Sequence, residues 1–349
     1  MNFSHILRIY LPILILSVIS CGGSGPVIDE PETEPEPETG FNLSSRLVTP
    51  NAGENTKKLY QYLLSNFQKK IISGVMTLNS FDETSWLKQK TGKEPALLGL
   101  DFMHCNRGYT WYDNLTPVND AKIWYNRRGI PAFCWHWRDP SRKTEAFYTA
   151  DTSFDVSRIF DEHSSEYKAI IADIDYTVGL LKVLSDQDIP VLWRPLHEAS
   201  GGWFWWGAKG PESCKRLWNI VFDRMVNTHK LTNLIWVWTT DARSGNMDWY
   251  PGDASVDLLG VDYYANEGDF SSQIQTFEKI KNDFKGKKMI ALSENGSVPA
   301  PDRLTGDKAQ WLYFMTWYGH FVEDGKYNPL SHWDNVLSHP YVITLDEMD

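Results

Sequence analysis

The chain has 349 residues, 42% of them hydrophobic, a length and composition that suit one large globular core rather than a disordered or fibrous protein. Its formal net charge of −11 argues against nucleic acid as a partner, which needs clustered Lys and Arg to release counterions, and is compatible with a neutral polysaccharide. Sixteen tryptophans are a surplus, and flat indole faces serve both to fill a core and to stack on flat-faced ligands such as sugars.

In chain order, residues 1–20 join His5 and Arg8 to the apolar run Ile9 to Ile19, which is too short to span a bilayer and reads as a secretory signal. The run ends at Val18-Ile19-Ser20-Cys21, which resembles the bacterial lipoprotein box. That resemblance implies cleavage before Cys21, lipidation of Cys21 and attachment to a membrane through the lipid. Gly22 in place of aspartate resembles lipoproteins sent on to the outer membrane, on its periplasmic or cell-surface face. The bland alternative is a secreted protein with a chance cysteine. Residues 21–40 then alternate proline with acid, a pattern that forms neither core nor helix and predicts an extended tether. The folded domain is expected over residues 41–349.

Within it, strand-like segments alternate with helix-like ones. The eight strand candidates are Ile71 to Met76, Ala96 to Phe102, Ile130 to Trp137, Ile189 to Glu198, Asn233 to Thr239, Val256 to Tyr264, Met289 to Glu294 and Trp311 to Trp317. Helical patterns between them include Tyr167 to Leu184, Cys214 to His229 and Ser271 to Phe284. This alternation predicts an α/β fold, a (β/α)8 TIM barrel forming a single catalytic domain. The last strand reads equally well as a buried helical turn. An open doubly wound sheet would carry a glycine-rich phosphate loop, and neither GxGxxG nor GxxxxGK[ST] occurs. Cys105, Cys134 and Cys214 show no CxxC spacing, so no metal site is expected, and whether two of them pair stays open.

Active sites of such barrels lie at the carboxyl ends of the strands. Polar or aromatic residues at those ends are Asp101, His136, His197 with Glu198, Asp262 with Tyr264, Glu294 and Trp317. Counting back by twos from Glu198 gives Leu196 and Arg194, and from Glu294 gives Leu292 and Ile290, so Glu294 is expected to share a face with core residues. Two strand-end carboxylates beside the cluster Trp203, Phe204, Trp205 and Trp206 suggest a retaining glycosidase, in which one carboxyl protonates the leaving oxygen and the other attacks. Apolar neighbours such as Trp203 are expected to keep Glu198 protonated, and hydrogen bonds from Tyr264 and Arg194 to favour an ionised Glu294. Their carboxyl oxygens are expected about 5 to 5.5 Å apart. Taken singly, Arg194 reads as an inward ion-pair partner, His136 could be a satisfied buried histidine, Trp205 and Trp206 read as packing, and Asp101 either orients a neighbour or caps a loop.

Four motifs carry a family resemblance: WRPLHE followed by GGWFWWG (Trp193 to Gly207), FCWHW (Phe133 to Trp137), G-x-D-x-Y (Gly260, Asp262, Tyr264) and SENG (Ser293 to Gly296). With them the chain resembles glycoside hydrolase family 26, chiefly β-mannanases, from roughly Leu59 to the C-terminus. The resemblance implies that Glu198 is the general acid/base and Glu294 the nucleophile. It further implies that His197 contacts the sugar near the nucleophile, that Trp203 stacks beside the scissile bond, that His136 and Tyr264 line the subsite of the attacked sugar, and that Trp317 forms an aromatic floor. Ala199-Ser200 stand where family members often have Asn or Asn-Gly. The implied substrates are mannan, galactomannan or glucomannan and their oligosaccharides, cleaved by a monomer without cofactor. Alternatives are a mannobiose-releasing exo-mannanase, a retaining β-glucanase or β-xylanase, and a non-catalytic glycan-binding lipoprotein. Endo cleavage is the expected mode, with the long segment Asp139 to Glu166 as the candidate for closing one end of the groove.

Overall fold

The computed structural model describes residues 40–241 and 245–348. The predicted signal, Cys21 and the tether up to residue 39 lie outside the described residues. Eight parallel strands close a barrel in chain order: β2 (Gly74–Met76), β3 (Leu97–Asp101), β4 (Ile130–Cys134), β5 (Val191–Arg194), β6 (Leu234–Thr240), β7 (Leu258–Tyr263), β8 (Met289–Asn295) and β9 (Phe314–Thr316). The fold is therefore the (β/α)8 barrel. β1 (Ile71–Ile72) and β10 (Val342–Ile343) pair outside it. Ser73 divides the predicted segment Ile71 to Met76 into β1 and β2, because its amide and hydroxyl both turn to the Ile343 carbonyl, at 3.0 and 2.6 Å.

Helices fill the connections. α1 (Glu54–Asn66), α2 (Asp82–Thr91) and α3 (Thr116–Asn126) precede α4 (Ser165–Ser185). α5 (Pro211–Phe222) runs on into a π-helical turn over Asp223–Thr228, so its helical stretch covers the predicted span as far as Thr228, with His229 capping it. α6 (Ile274–Asp283), α7 (Pro301–Asp307), α8 (His320–Glu323) and α9 (Leu330–Ser338) complete the outer layer. The segment Trp311 to Trp317 is strand rather than helix, with its ladder limited to β9.

Apolar residues sort into two layers. Leu192, Val237, Ala291, Tyr313 and Met315 fill the barrel interior, whereas Ile290 and Leu292 pack outward with Phe277 and Trp311. This corrects the parity argument for Glu294, since its alternation partners face the helices. A bulge resolves the conflict: Val261 pairs with Leu292 but Asp262 pairs with Glu294, leaving Ser293 as the extra residue. Gly260 leaves room for it, because a Cβ there would overlap Ser293 Oγ. On β5 the predicted strand to Glu198 also fails, ending at Arg194. Leu196 and Glu198 have φ of 55° and 53°, left-handed backbone that breaks alternation and lifts Glu198 onto a loop.

Candidate active site

Arg194 organises the mouth of the barrel. Buried at the end of β5, it donates through Nη1 to Asp262 Oδ2 at 2.8 Å and through Nη2 to Glu294 Oε1. Ser293 Oγ donates to the other Asp262 oxygen at 2.7 Å, and Tyr264 Oη donates to Glu294 Oε2 at 2.8 Å. Both Glu294 oxygens thus accept hydrogen bonds, one of them from a cation. Burial, then the Glu294 charge, push the Tyr264 phenol far up, so it remains a donor.

Glu198 meets a different environment. Its left-handed backbone leads into a tight turn over Ala199–Gly201, and Trp203 Nε1 returns to donate to Oε2 at 2.8 Å. Gly201 is required here, since the Trp203 ring lies where its Cβ would be. Burial first and the Glu294 charge second push Glu198 up to about 7, against the pull of the Trp203 hydrogen bond. One carboxylate oxygen each from Glu198, Asp262 and Glu294 lie within 4.8 Å of one another. Three carboxylates that close could hold a metal ion, but Arg194 already supplies the cation to two of them.

Beside this cluster, Asp101 Oδ2 lies 2.5 Å from His136 Nδ1, and His136 Nε2 lies 3.2 Å from His197 Nε2. Asp101 thus orients a neighbour. Trp206 Nε1 donates to the His197 carbonyl at 2.8 Å, and Trp205 Nε1 to the Trp137 carbonyl at 2.5 Å, so both indoles belong to the packing below the site. Rings of Phe147, Phe204 and Trp317 surround His136 at 5.0, 5.4 and 5.8 Å. Trp317, half-buried, follows β9 and is fixed by its amide on the Asn295 carbonyl at 2.9 Å. The segment after β4 is tied to the Glu198 loop, with Thr149 N on the Trp203 carbonyl at 2.7 Å and Trp205 N on the Phe147 carbonyl at 3.1 Å. Cys105, Cys134 and Cys214 are buried and unpaired.

Residues 48–347 match the family model of glycosyl hydrolase family 26. The chain belongs to this family. A mannan endo-1,4-beta-mannosidase of Thermothelomyces thermophilus is 40% identical over 329 residues, covering 90% of this chain and 65% of that protein. Mannan endo-1,4-beta-mannosidase A of Piromyces sp. is 36% identical over 321 residues, covering 89% and 52%. The chain thus spans between half and two thirds of the length of these curated relatives. A β-mannanase from a symbiotic protist of the termite Reticulitermes speratus, solved with gluco-manno-oligosaccharide, superposes with a TM-score of 0.85 at 45% identity, covering 88% of this chain and 99% of that one. The β-(1,4)-mannanase of Podospora anserina gives 0.81 at 38% identity, covering 91% and 71%.

For a family 26 glycosyl hydrolase the cleft is chemically asymmetric: one carboxyl is able to carry a proton near neutral pH, and a second is clamped by a guanidinium. His136, His197, Glu198, Trp203, Tyr264, Glu294 and Trp317 all lie at this end of the barrel. The sequence reading of Arg194 as an inward ion-pair partner that also bonds Glu294 matches the structure, and Asp262 is the carboxylate partner it leaves unnamed. It misses Ser293, whose inward turn follows from a bulge set by pairing with β7.

Proposed function

We propose that the chain is a retaining β-1,4-mannanase of endo mode, with Glu198 as acid/base and Glu294 as nucleophile. The observation that carries this is the pair of carboxylates themselves, within 4.8 Å and in opposite electrostatic settings. That spacing lies just under the roughly 5 to 5.5 Å expected of retaining glycosidases and well short of the about 6.5 to 9.5 Å at which inverting enzymes admit a water. Glu198 protonates the leaving oxygen while Glu294 attacks the anomeric carbon. With its charge lost into the glycosyl-enzyme, Glu294 no longer disfavours ionisation of Glu198, which then takes the proton of an attacking water. His136, His197, Trp203, Tyr264 and Trp317 hold the sugars on either side. The names of the relatives support mannan as polymer and endo as mode.

Mannan, lichenan and xylan hydrolysed in parallel test this reading. Faster cleavage of mannan with an early spread of oligosaccharide sizes is expected. Mannobiose alone from the first minutes would overturn the endo mode, preference for lichenan or xylan the substrate, and no hydrolysis the catalytic reading. Lipidation of Cys21, with the enzyme held at the outer membrane, completes the proposal. Fractionation of wild type and Cys21→Ala checks it: the wild type should sediment with membranes, and a wholly soluble wild type would refute it.

A further inference from the structure

Asp101 grips His136 at two points. One oxygen accepts the His136 backbone N–H at 3.1 Å and the other lies 2.5 Å from Nδ1, a contact that needs a hydrogen between carboxylate and ring. Nε2 of His136 is thereby left to face His197 Nε2 at 3.2 Å. Two nitrogens at that separation hold one hydrogen between them, since two would collide and none would oppose two lone pairs. His197 Nδ1 is buried and has no hydrogen-bond partner among the described residues.

With Asp101 ionised and His197 neutral, two protonation states satisfy this geometry. In the first, His136 is an imidazolium that donates to His197, and neutral His197 carries its hydrogen on Nδ1. In the second, neutral His136 accepts from His197 Nε2–H, and His197 Nδ1 is bare. They differ by one proton, which leaves from His197 Nδ1 as the shared hydrogen crosses from His136 Nε2 to His197 Nε2. The first state keeps a buried N–H without a partner, which costs more than a bare acceptor, so the Asp101 charge has to offset that cost.

We infer that Asp101 is a positioning residue: it fixes a hydrogen on His136 Nδ1 and makes His136 and His197 titrate as one unit, in which His197 changes tautomer beside Glu198. The charged and titratable groups around the pair are Asp101 on β3, Cys134 on β4, Arg194 on β5, Glu198 on the loop after β5 and Glu294 on β8. Burial works against a charge on His136, Asp101 and then Glu294 favour it, Arg194 opposes it, and the balance lies above the ordinary histidine value. Burial, then His136 and Arg194, hold His197 well below that value, so it stays neutral in both states. The consequence for catalysis rests on the acid/base reading of Glu198, whose proton the His136 charge loosens.

Nitrogen-15 NMR of the full chain with labelled histidine tests the pair without substrate. In wild type the pair should titrate with a midpoint above ~6.5, and His197 Nδ1 should lose its hydrogen across that midpoint. A His197 Nδ1 that stays in one state throughout would overturn the tautomer change. In Asp101→Asn the midpoint should fall by about one pH unit or more. The alkaline limb of kcat/KM should then move up, because a positive charge near Glu198 is gone. A variant with lower kcat but an unmoved midpoint and limb would make Asp101 merely structural and overturn its role. Should Asp101→Asn not fold, the wild-type midpoint decides, since burial without the pull of Asp101 would hold it below ~6.5. A wild type that titrates as expected but hydrolyses no polysaccharide would sink the glycosidase reading and leave the proton assignment supported.

Discussion

Glu198 and Glu294 are the same residue type a few ångströms apart, yet the chain builds their surroundings by opposite means. Glu294 lies near the end of β8, just past its bulge, and accepts from two donors brought in by neighbouring strands, Arg194 at the end of β5 and Tyr264 just after β7. Glu198 sits on a left-handed loop residue, with one indole N–H as partner and burial pushing its carboxyl up to about 7. The difference shows that the partners each carboxyl finds in this cleft follow from backbone context. Strand ends bring a guanidinium and a phenol onto Glu294, whereas a loop folded under aromatic rings desolvates Glu198 and returns one indole donor to it.

Deleting each carboxyl should break the comparison most sharply. Glu294→Ala leaves no attacking group and is expected to lose about 10³-fold or more in kcat on every substrate. Glu198→Ala should lose the polymer to a similar degree yet keep activity on aryl glycosides whose leaving group needs no proton. Equal behaviour of the two variants on an activated aryl mannoside would erase the assigned roles.

Replacing the shared cation comes next. Arg194→Met leaves Asp262 and Glu294 buried without their counter-charge, so a loss of about 3 to 5 kcal/mol is expected near neutral pH. Thermal melts at neutral and acidic pH check it. The deficit should shrink in acid, where protonation relieves the stranded carboxylates, and a deficit independent of pH would mean that Arg194 serves packing instead.

How far the sequence foretold this contrast depends on whether the backbone is regular. The motifs Trp193 to Glu198 and Ser293 to Gly296, with the resemblance they carry, mark both carboxylates, and the alternation of elements is enough for the barrel. Side-chain parity was not enough. It holds along β5 only as far as Arg194, and on β8 it points Glu294 toward Ile290 and Leu292, which pack against the helices. The bulge at Ser293 and the left-handed residues Leu196 and Glu198 depend on neighbouring strands and loops, which no local pattern records. Arg194 was legible as a buried charge bonded to Glu294, but its Asp262 partner comes from a strand far along the chain and was not.

A pH-dependent stability measurement sharpens the comparison without kinetics. Because folding raises Glu198 to about 7 from its ordinary 4.5, its contribution is fully present below 4.5 and is lost as pH rises through 7. Glu198→Gln removes that loss. The variant should match wild type at pH ~4 and exceed it at pH ~8 by roughly 2 kcal/mol, somewhat less than the full shift implies because the loop stays in contact with solvent. Equal melting temperatures at both pH values would show that Glu198 ionises freely in the folded cleft.

The smallest effect isolates the one hydrogen bond that opposes desolvation. Trp203→Phe keeps an aromatic face but removes the Nε1–H that donates to Glu198 Oε2 at 2.8 Å. That bond favours the ionised carboxylate, so its loss should raise the Glu198 value further and carry the alkaline limb of kcat/KM to higher pH, by about half a unit to one unit. KM is expected to rise as well, because a phenyl ring offers less area to a sugar than an indole. The two changes separate cleanly: a pH–rate profile reports the hydrogen bond and saturation kinetics report the stacking. An alkaline limb that moved down would mean that the indole shields Glu198 from water more than it bonds to it, and the account of the loop as a desolvating device would then need Trp203 as its main wall.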